Sequence, residues 1–288
     1  MNNISVSVIV PTFNQDLFIS NCINSILSQI TNFKFEIIVG DDCSTDSTPK
    51  ILKNFQKKTN NLKIFIWKKN EGGLKNIDKL LHKASGKYVV IIEGDDFWKD
   101  NYFLQDSINF LETKPNYSFV SSNYIILENQ NYKKTPNYSG NISAHSLSLG
   151  NFIKMGSTVF HKKYYPKVNK YFIDLPLGDY PLLMSLLSIK KGYLRKKVSF
   201  VYRVHSKGIW SYKSKIQNSN STILTIINMK KYFKKDYLFN FQINYLTLKS
   251  FILSKKFNKI RFKTFIFGII CYLMVKFRNI NLKGYNDI

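Results

Sequence analysis

The strongest constraint on the fold is a short apolar run, residues 88–92 (Tyr-Val-Val-Ile-Ile), that ends directly in Glu93-Gly94-Asp95-Asp96. Its β-branched residues suffice for a buried strand and are too few for a typical helix. Carboxylates at the end of a buried strand are costly unless a cation meets them, and hard oxygen donors suit Mg²⁺ or Mn²⁺. The run therefore predicts a strand with a cation-binding end, although an isolated acidic pair would also fit a plain polar turn.

Strands of this kind recur along the first hundred residues and alternate with amphipathic segments. The apolar runs predict strands at residues 4–10, 35–40, 62–67 and 89–92, and the segments between them predict helices at residues 17–29, 47–55 and 70–82. This alternation predicts an α/β fold with a doubly wound, mostly parallel sheet.

Polar clusters follow three of the predicted strands, at residues 11–14, 41–46 and 93–96. Parallel sheets bind ligands beyond the carboxyl ends of their strands. We therefore expect these three loops to meet in one crevice.

Composition indicates a folded protein, because 44% of the 288 residues are hydrophobic and 15% are aromatic. Cys22, Cys43 and Cys271 form no close-spaced metal motif and cannot all pair, which suits a reducing compartment. The sequence enters the first predicted strand with no basic-then-apolar leader. These features predict a cytoplasmic location, with the inner face of the cell membrane as the more specific expectation.

The formal net charge of +25 fits either nucleic-acid binding or an anionic membrane surface, and part of it reflects a generally lysine-rich composition. Residues 221–288 carry thirteen Lys or Arg against Asp236 and Asp287. This asymmetry favours a basic tail at a membrane over a nucleic-acid surface. The apolar run at residues 264–275 is too short to span a bilayer, which takes about 20 residues, and predicts an interfacial helix or one packed on the rest of the chain.

Residues 5–14 and 36–48 resemble the donor-binding segments of family 2 glycosyltransferases, which have the GT-A fold. Residues 86–98 match the aspartate-containing metal motif of that family, and residues 177–182 and 201–211 resemble its C-terminal signature. The resemblance covers residues 4–211 in the expected order. It implies a GT-A domain at residues 1–215, with a nucleotide-binding half (1–115) and an acceptor half (116–215), followed by a basic helical extension at residues 216–288.

The resemblance implies a nucleoside site in the first two loops. Phe13 would stack on uracil, and Asp42 would accept a hydrogen bond from the base, with Asp41 as the alternative. The two acids would equally fit a strand-to-helix turn with local hydrogen bonds. The full set of nucleotide-binding candidates is Pro11, Thr12, Phe13, Asn14, Asp41, Asp42, Asn70, Lys75 and Asp95.

The resemblance also implies a Mn²⁺ or Mg²⁺ ion on the donor diphosphate. Asp96 would be the principal ligand, with Asp95 in support and His205 as a further ligand or diphosphate contact. Glu93 stands where many relatives carry aspartate, so its role is left open. Gly94 would let the backbone approach the ligand.

Asp179 is the candidate general base, since inversion needs a carboxylate that removes the acceptor proton during in-line attack. From local sequence alone it would equally fit a helix cap, with Pro181 in the first turn. Ser157 and Trp210 are weaker candidates for the edge of the acceptor site.

The function implied is an inverting, metal-dependent glycosyltransferase that moves a sugar from a nucleotide donor, expected to be a UDP-sugar, to a glycan or lipid-linked acceptor in surface polysaccharide or lipopolysaccharide synthesis. Such a protein would bind no nucleic acid. The alternatives are a sugar-phosphate nucleotidyltransferase, which would need a glycine-rich phosphate loop that the first segment lacks, and a non-catalytic protein that binds polyanions or lipid.

Overall fold

A computed structural model describes residues 4–148, 151–165, 175–208, 210–211 and 213–230. The strands are β1 Val6–Thr12, β2 Phe35–Asp41, β3 Leu62–Ile66, β4 Tyr88–Ile91, β5 Phe97–Trp98, β6 Tyr117–Glu128, β7 Asn131–Lys134, β8 Gly140–Ile142, β9 Thr158–His161 and β10 Lys191–Val204. The α-helices are α1 Ile19–Leu27, α2 Thr48–Gln56, α3 Gly73–Lys83, α4 Phe103–Thr113, α5 Ala144–Ser148, α6 Asp179–Ile189 and α7 Lys215–Met229.

Within the described residues, ten strands form one sheet in the order β3-β2-β1-β4-β9-β6-β10-β5, with β7 and β8 paired outside this path. Strands β1 to β4 are parallel, and so are β6 and β10. Strand β9 runs antiparallel between β4 and β6. The predicted α/β fold with a mostly parallel sheet is confirmed, and β9 joins the two predicted halves of the domain into one sheet.

Alternate residues of the central strands face two separate cores. Val8 and Val10 of β1 pack under α1, α2 and α4, whereas Ile9 packs on the side of α3 and α6. Successive side chains of a strand point to opposite faces. Because both faces are covered, β1 is buried along its whole length, as parallel strands usually are.

The predicted strands and helices of the first hundred residues are all present, with ends shifted by a few residues. Strand β1 continues through Thr12 and β2 through Asp41, because these two residues pair in the parallel ladder despite their polar side chains. Hydrophobicity alone ends the predicted strands before these residues, at positions 10 and 40. The longer ladder carries the first polar side chains of both loops on regular backbone.

Helix α7 covers the start of the predicted C-terminal extension. It begins with a capping box in which the Ser214 side chain accepts from the Gln217 amide. Ile226 and Met229 are fully buried in the core beneath α6, so this part of the extension packs on the GT-A-like sheet. Residues 231–288, including the apolar run at 264–275, lie outside the described residues. Among the helices that are described, none is long and apolar enough to cross a membrane.

Candidate active site

Three loops meet at the carboxyl ends of β1, β2 and β4, as their order in the sheet requires. The Asp42 amide donates to the Thr12 carbonyl at 2.9 Å, and the Gly94 amide donates to the Pro11 carbonyl at 3.1 Å. These bonds continue the strand pairing beyond the last ladder residues. The backbone of β1 therefore places the two acidic loops on either side of itself.

The first two loops are also joined by side chains. The Asn14 amide donates to Ser44 Oγ, and Asn14 Oδ1 accepts from the Thr45 amide, each at 2.8 Å. Asn14 adopts φ +52°, a conformation that asparagine tolerates better than most residues. Phe13 next to it is 43% exposed, so one aromatic ring remains open to a ligand. The Thr12 hydroxyl is occupied by Gln15 Oε1 at 2.8 Å.

Asp41 and Asp42 both organise turns. The fully buried Asp41 carboxylate accepts from the Ser44 amide and hydroxyl, and burial, opposed by these bonds, raises the pKa of Asp41. This arrangement turns Asp41 toward the protein interior, which corrects its assignment as an alternative base contact. The Asp42 oxygens accept from the amides of Glu71 (3.1 Å) and Gly72 (2.8 Å), and each oxygen keeps a second lone pair.

Three carboxylates lie together after β4. One oxygen from each of Glu93, Asp95 and Asp96 lies within 4.8 Å of the other two. Burial, then the charges of Asp95 and Glu93, raises the pKa of Asp96 well above its usual value. Glu93 reaches the open side of the crevice, yet loss of hydration and the charges of Asp95 and Asp179 raise its pKa to about 7. The negative charges of these three carboxylates are therefore not balanced by the positive charges around them.

Two basic residues of the β10 end contact this cluster. His205 Nε2 lies 2.9 Å from Asp95 Oδ2, and its ring packs against Phe18 at 4.4 Å between centroids. The Arg203 amide donates to Asp96 Oδ1 and its Nε donates to the Asp95 carbonyl, both at 2.7 Å. The sequence predicted His205 as a metal ligand, whereas here it contacts the Asp95 carboxylate and orients it.

The acidic cluster fits a divalent cation. Asp95 Oδ1 is buried and has no hydrogen-bond partner among the described residues, so one donor oxygen is free. Carboxylate oxygens suit Mg²⁺ or Mn²⁺. Glu93, whose role was open from the sequence, belongs to the cluster as fully as Asp95 and Asp96. The residues present therefore fit the metal that the resemblance implies.

Gly94 is small for a reason other than the expected approach of a ligand. A Cβ at this position would lie 2.5 Å from Gln15 Oε1 and 2.9 Å from both Thr12 Oγ1 and Ile19 Cδ1. The space is filled by the β1–α1 segment of the protein itself. Gly94 therefore lets the acidic loop pack against the segment after β1 that contains Gln15.

Asp179 is the first residue of α6, and its charge acts on Glu93 of the acidic cluster. Its Oδ2 accepts from Asn151 Nδ2 and its Oδ1 accepts from the Tyr180 amide, both at 2.7 Å. The N-cap position itself belongs to Gly178. Burial raises the pKa of Asp179, and the nearby positive charge of Lys154 opposes that rise. Asp179 thus has the partial burial and single orientation expected of a proton acceptor.

Lys154 is a site residue that sequence reasoning missed. Its Nζ lies 4.0 Å from the centroid of the Tyr202 ring and 5.5 Å from that of Tyr124. Burial lowers the pKa of Lys154, but the acidic groups around it, the hydroxyls of Tyr124 and Tyr202 and the carboxyls of Asp179 and Asp96, outweigh burial and raise that pKa overall. Because the segment around it has no motif, only the folded arrangement places this ammonium beside acids from β4 and α6.

The structure corrects Ser157 and locates the other candidates. Ser157 has no exposed surface and its hydroxyl donates to the Lys154 carbonyl at 2.9 Å, so it faces the interior instead of an acceptor.

Asn70 and Lys75 are exposed beside the turn that Asp42 holds. Trp210 accepts at its carbonyl from Asn218 and is half-buried. Trp98 is a core residue whose indole donates to the Gly156 carbonyl.

Comparison with known proteins gives a consistent picture. The family described as Glycosyl transferase family 2 matches residues 7–172. A Campylobacter jejuni protein named GalNAc(5)-diNAcBac-PP-undecaprenol beta-1,3-glucosyltransferase is 31% identical over 69% of this chain and 64% of its own length. The Escherichia coli UDP-Glc:alpha-D-GlcNAc-diphosphoundecaprenol beta-1,3-glucosyltransferase WfaP is 28% identical over 88% of this chain and 98% of its own length.

Other matches differ in length or share only the fold. The chain spans 60% of the length of mycobacterial relatives that are 25% identical over 214 residues. The crystal structure of Staphylococcus aureus TarS 1-349 in complex with UDP-GlcNAc superposes with a TM-score of 0.67 at 18% identity, covering 94% of this chain and 81% of that one. At this identity the likeness establishes the fold alone.

Proposed function

Because the chain belongs to glycosyl transferase family 2, we propose that it transfers a sugar from a UDP-sugar to a hydroxyl of a glycan, with inversion at the anomeric carbon. The observation that carries the proposal is the crevice itself. It has an exposed aromatic ring at Phe13, a carboxylate cluster at Glu93, Asp95 and Asp96, and a further carboxylate at Asp179, whose charge acts on Glu93.

The donor side of the crevice would hold the nucleotide. Phe13 would stack on uracil, and the free lone pairs of Asp42 would accept from the base imide. Glu93, Asp95 and Asp96 would hold Mn²⁺ or Mg²⁺. When bound, that ion neutralises the negative charge that develops on the leaving diphosphate. His205 and Arg203 keep Asp95 and Asp96 in place for this purpose.

The acceptor side would carry the proton transfer. The acceptor oxygen forms a bond to the anomeric carbon while the bond from that carbon to the diphosphate oxygen breaks, and the electron pair leaves with the diphosphate. An Asp179 carboxylate oxygen takes the hydroxyl proton in the same step. The bonds from Asn151 and Tyr180 hold this carboxylate in one orientation.

The acceptor class that we propose is a sugar carried on a lipid diphosphate. Support comes from the E. coli and C. jejuni relatives, whose names both place the acceptor on undecaprenol diphosphate. Such an acceptor sits at a membrane surface, and a net charge of +25 would draw the protein to anionic lipid there. We propose that residues 216–288 contribute to this attraction.

The first test is thermal stabilisation by UDP, GDP, CDP and dTDP, each with Mn²⁺ and with chelator. A ligand that binds only the folded state raises its stability with the logarithm of ligand concentration over Kd. We expect stabilisation by UDP that needs Mn²⁺ and is lost in Asp96→Asn. This substitution keeps an oxygen for the Arg203 amide and removes the charge.

The matched control is Asp100→Asn, which alters another largely buried acid outside the crevice that is bonded to Ser199 and Lys197. It should keep the response to UDP and Mn²⁺. A folded protein that no nucleotide stabilises would contradict the proposal and favour the polyanion-binding alternative. With the nucleotide identified, release of UDP from UDP-glucose in the presence of an N-acetylglucosaminyl lipid diphosphate tests the acceptor class.

A further inference from the structure

The loop before β9 brings two side chains to Asp179 that no motif of the sequence marks. Asn151 donates its side-chain amide to Asp179 Oδ2 at 2.7 Å. Three residues later, Lys154 places a positive charge near the same carboxylate. Asp179 follows these residues by 28 and 25 positions, so the pairing exists only in the folded protein.

The backbone of this loop is held firmly. The Lys154 carbonyl accepts from the Ser157 hydroxyl, the Thr158 hydroxyl and the Ser157 amide at 2.9, 2.9 and 3.1 Å. Thr158 is also the first residue of β9, which is paired on both sides. The loop therefore has the rigidity needed to position a group on another element.

The Lys154 ammonium is held on an aromatic ring instead of in an ion pair. Its Nζ lies over Tyr202, and no carboxylate of a described residue lies within ion-pair distance of it. The Arg203 guanidinium and the His205 ring already contact the Asp95–Asp96 cluster. Lys154 is thus the described cation best placed to act on Asp179.

We propose that residues 151–154 form the positioning device of the general base, in which Asn151 orients the Asp179 carboxylate through its hydrogen bond and Lys154, held over Tyr202 on the same loop, is the positive charge that accompanies it. The inference rests on the proposed function, since it assumes that Asp179 removes the acceptor proton. Both residues act through Asp179 and neither needs to touch the reacting atoms.

The test is the titration of the Asp179 carboxyl, observed by NMR of protein labelled with ¹³C at aspartate carboxyl carbons, without metal. Asp179→Asn assigns the signal. We expect Lys154→Met, which keeps the apolar stem, to raise the titration midpoint by about 1 pKa unit, and Lys154→Arg to restore it. Asn151→Ala should shift the midpoint in the same direction, because it removes a hydrogen bond to the charged form.

Besides Lys154, Glu93 is an ionisable group whose charge interacts with that of Asp179, and it stays unchanged in every variant. Lys83→Met is a matched control, because Lys83 also lies over an aromatic ring, that of Phe65 at 4.7 Å, at the far end of α3. It should leave the midpoint unchanged. Tyr202→Leu, which removes the ring beneath Lys154, gives a second route should Lys154→Met fold poorly, and should also raise the midpoint.

An unchanged midpoint in folded Lys154→Met and Tyr202→Leu would overturn the inference. The proposed function is judged separately by Asp179→Asn, which should bind UDP and Mn²⁺ normally but lose transfer. One outcome is that Asp179→Asn loses transfer while the titration midpoint of Asp179 stays unchanged in the Lys154 and Asn151 variants. In that case the proposed function holds and the positioning role fails. If Asp179→Asn transfers normally, the base assignment itself is wrong.

Discussion

Leu74 fills the space beside Gly178, so that a Cβ at position 178 would lie 2.2 Å from Leu74 Cδ2. Leu74 belongs to the first turn of α3, which follows the turn that Asp42 holds. Gly178 immediately precedes Asp179 at the start of α6. This contact packs the start of α3, next to the Asp42 turn, against the start of α6, next to Asp179, and it leaves no room for a side chain at position 178.

Gly178→Ala should therefore lower stability and displace Asp179. Overpacking of this kind costs about 1–3 kcal/mol, to be measured by urea unfolding. Leu74→Ala in the same chain should recover much of the loss, because it removes the clashing methyl group. Gly73→Ala is the control, since no atom lies within 4 Å of a Cβ there. A Gly178→Ala protein as stable as wild type would show that the Leu74 side chain rotates away from the added methyl group and that the contact does not constrain Asp179.

Cys43→Gly should raise stability. Cys43 adopts φ +67°, a conformation that costs an L-residue about 1 kcal/mol and costs glycine little. Its only hydrogen bond is a weak one from Sγ to the Lys68 carbonyl at 3.6 Å. Cys43→Ala keeps the Cβ and should show no gain, so the difference between the two variants in urea unfolding isolates the backbone effect. If Cys43→Gly and Cys43→Ala are equally stable, the backbone conformation at residue 43 carries no strain that glycine relieves.

Asp42→Asn should loosen the turn at Glu71 and Gly72. An amide side chain has one oxygen where the carboxylate has two, so one backbone N–H would face the Asn NH₂ group. Because Glu71 and Gly72 are exposed, water can take over the freed N–H, and the loss is that of one ordinary hydrogen bond, about 0.5–1.5 kcal/mol. Hydrogen exchange of the Glu71 and Gly72 amides should accelerate, while that of the Ser44 amide, held by Asp41, should not. Unchanged exchange at all three would contradict this role.

Glu36 should govern stability in acid. Although burial opposes ionisation, bonds from Lys63, Ser7 and Ser85 lower the pKa of Glu36 from 4.5 to about 2. A lowered pKa means that the folded state holds the proton less tightly than the unfolded state. The stability it contributes, about 3 kcal/mol, is present above pH 4.5 and is lost as the pH falls toward 2.

Urea unfolding between pH 6 and pH 2 measures this dependence. The Glu36→Gln variant should be less stable than wild type at pH 6 and should lose less stability toward acid. Glu112→Gln is the control, since its pair with Lys87 is exposed at both ends and contributes at most about 1 kcal/mol. Parallel pH curves for wild type and Glu36→Gln would contradict the prediction.

The donor side of the site could be predicted because its signals are local. Each strand of β1 to β4 is a continuous apolar run, and the polar residues that follow a parallel strand must lie at the same edge of the sheet. The resemblance to the family strengthened this prediction, because the motifs occur in the order that the family shows. The geometry brings together the loops of Thr12, Asp42 and Asp96 as expected.

The acceptor side could be predicted only at Asp179. Asn151 and Lys154 lie in a segment whose local sequence predicts no regular element, and Ser157, chosen for its position, turned inward. Their placement depends on β9, an antiparallel strand inserted between β4 and β6. Insertion of one strand between two others is decided by long-range pairing, which leaves no periodic trace in the chain.

The sequence by itself determined the alternating strands and helices, the acids at their ends and the family to which the chain belongs, because each depends on neighbouring residues. The folding of distant segments onto one another places Glu93, Asp95 and Asp96 in one cluster, gives Asp41 and Asp42 their turns, and brings Asn151 to Asp179. Asp41 and Asp42 are adjacent in sequence yet differ in role, because the last residue of β2 points into the protein and the next reaches the α3 turn. Such differences arise from the packing of side chains far apart along the chain.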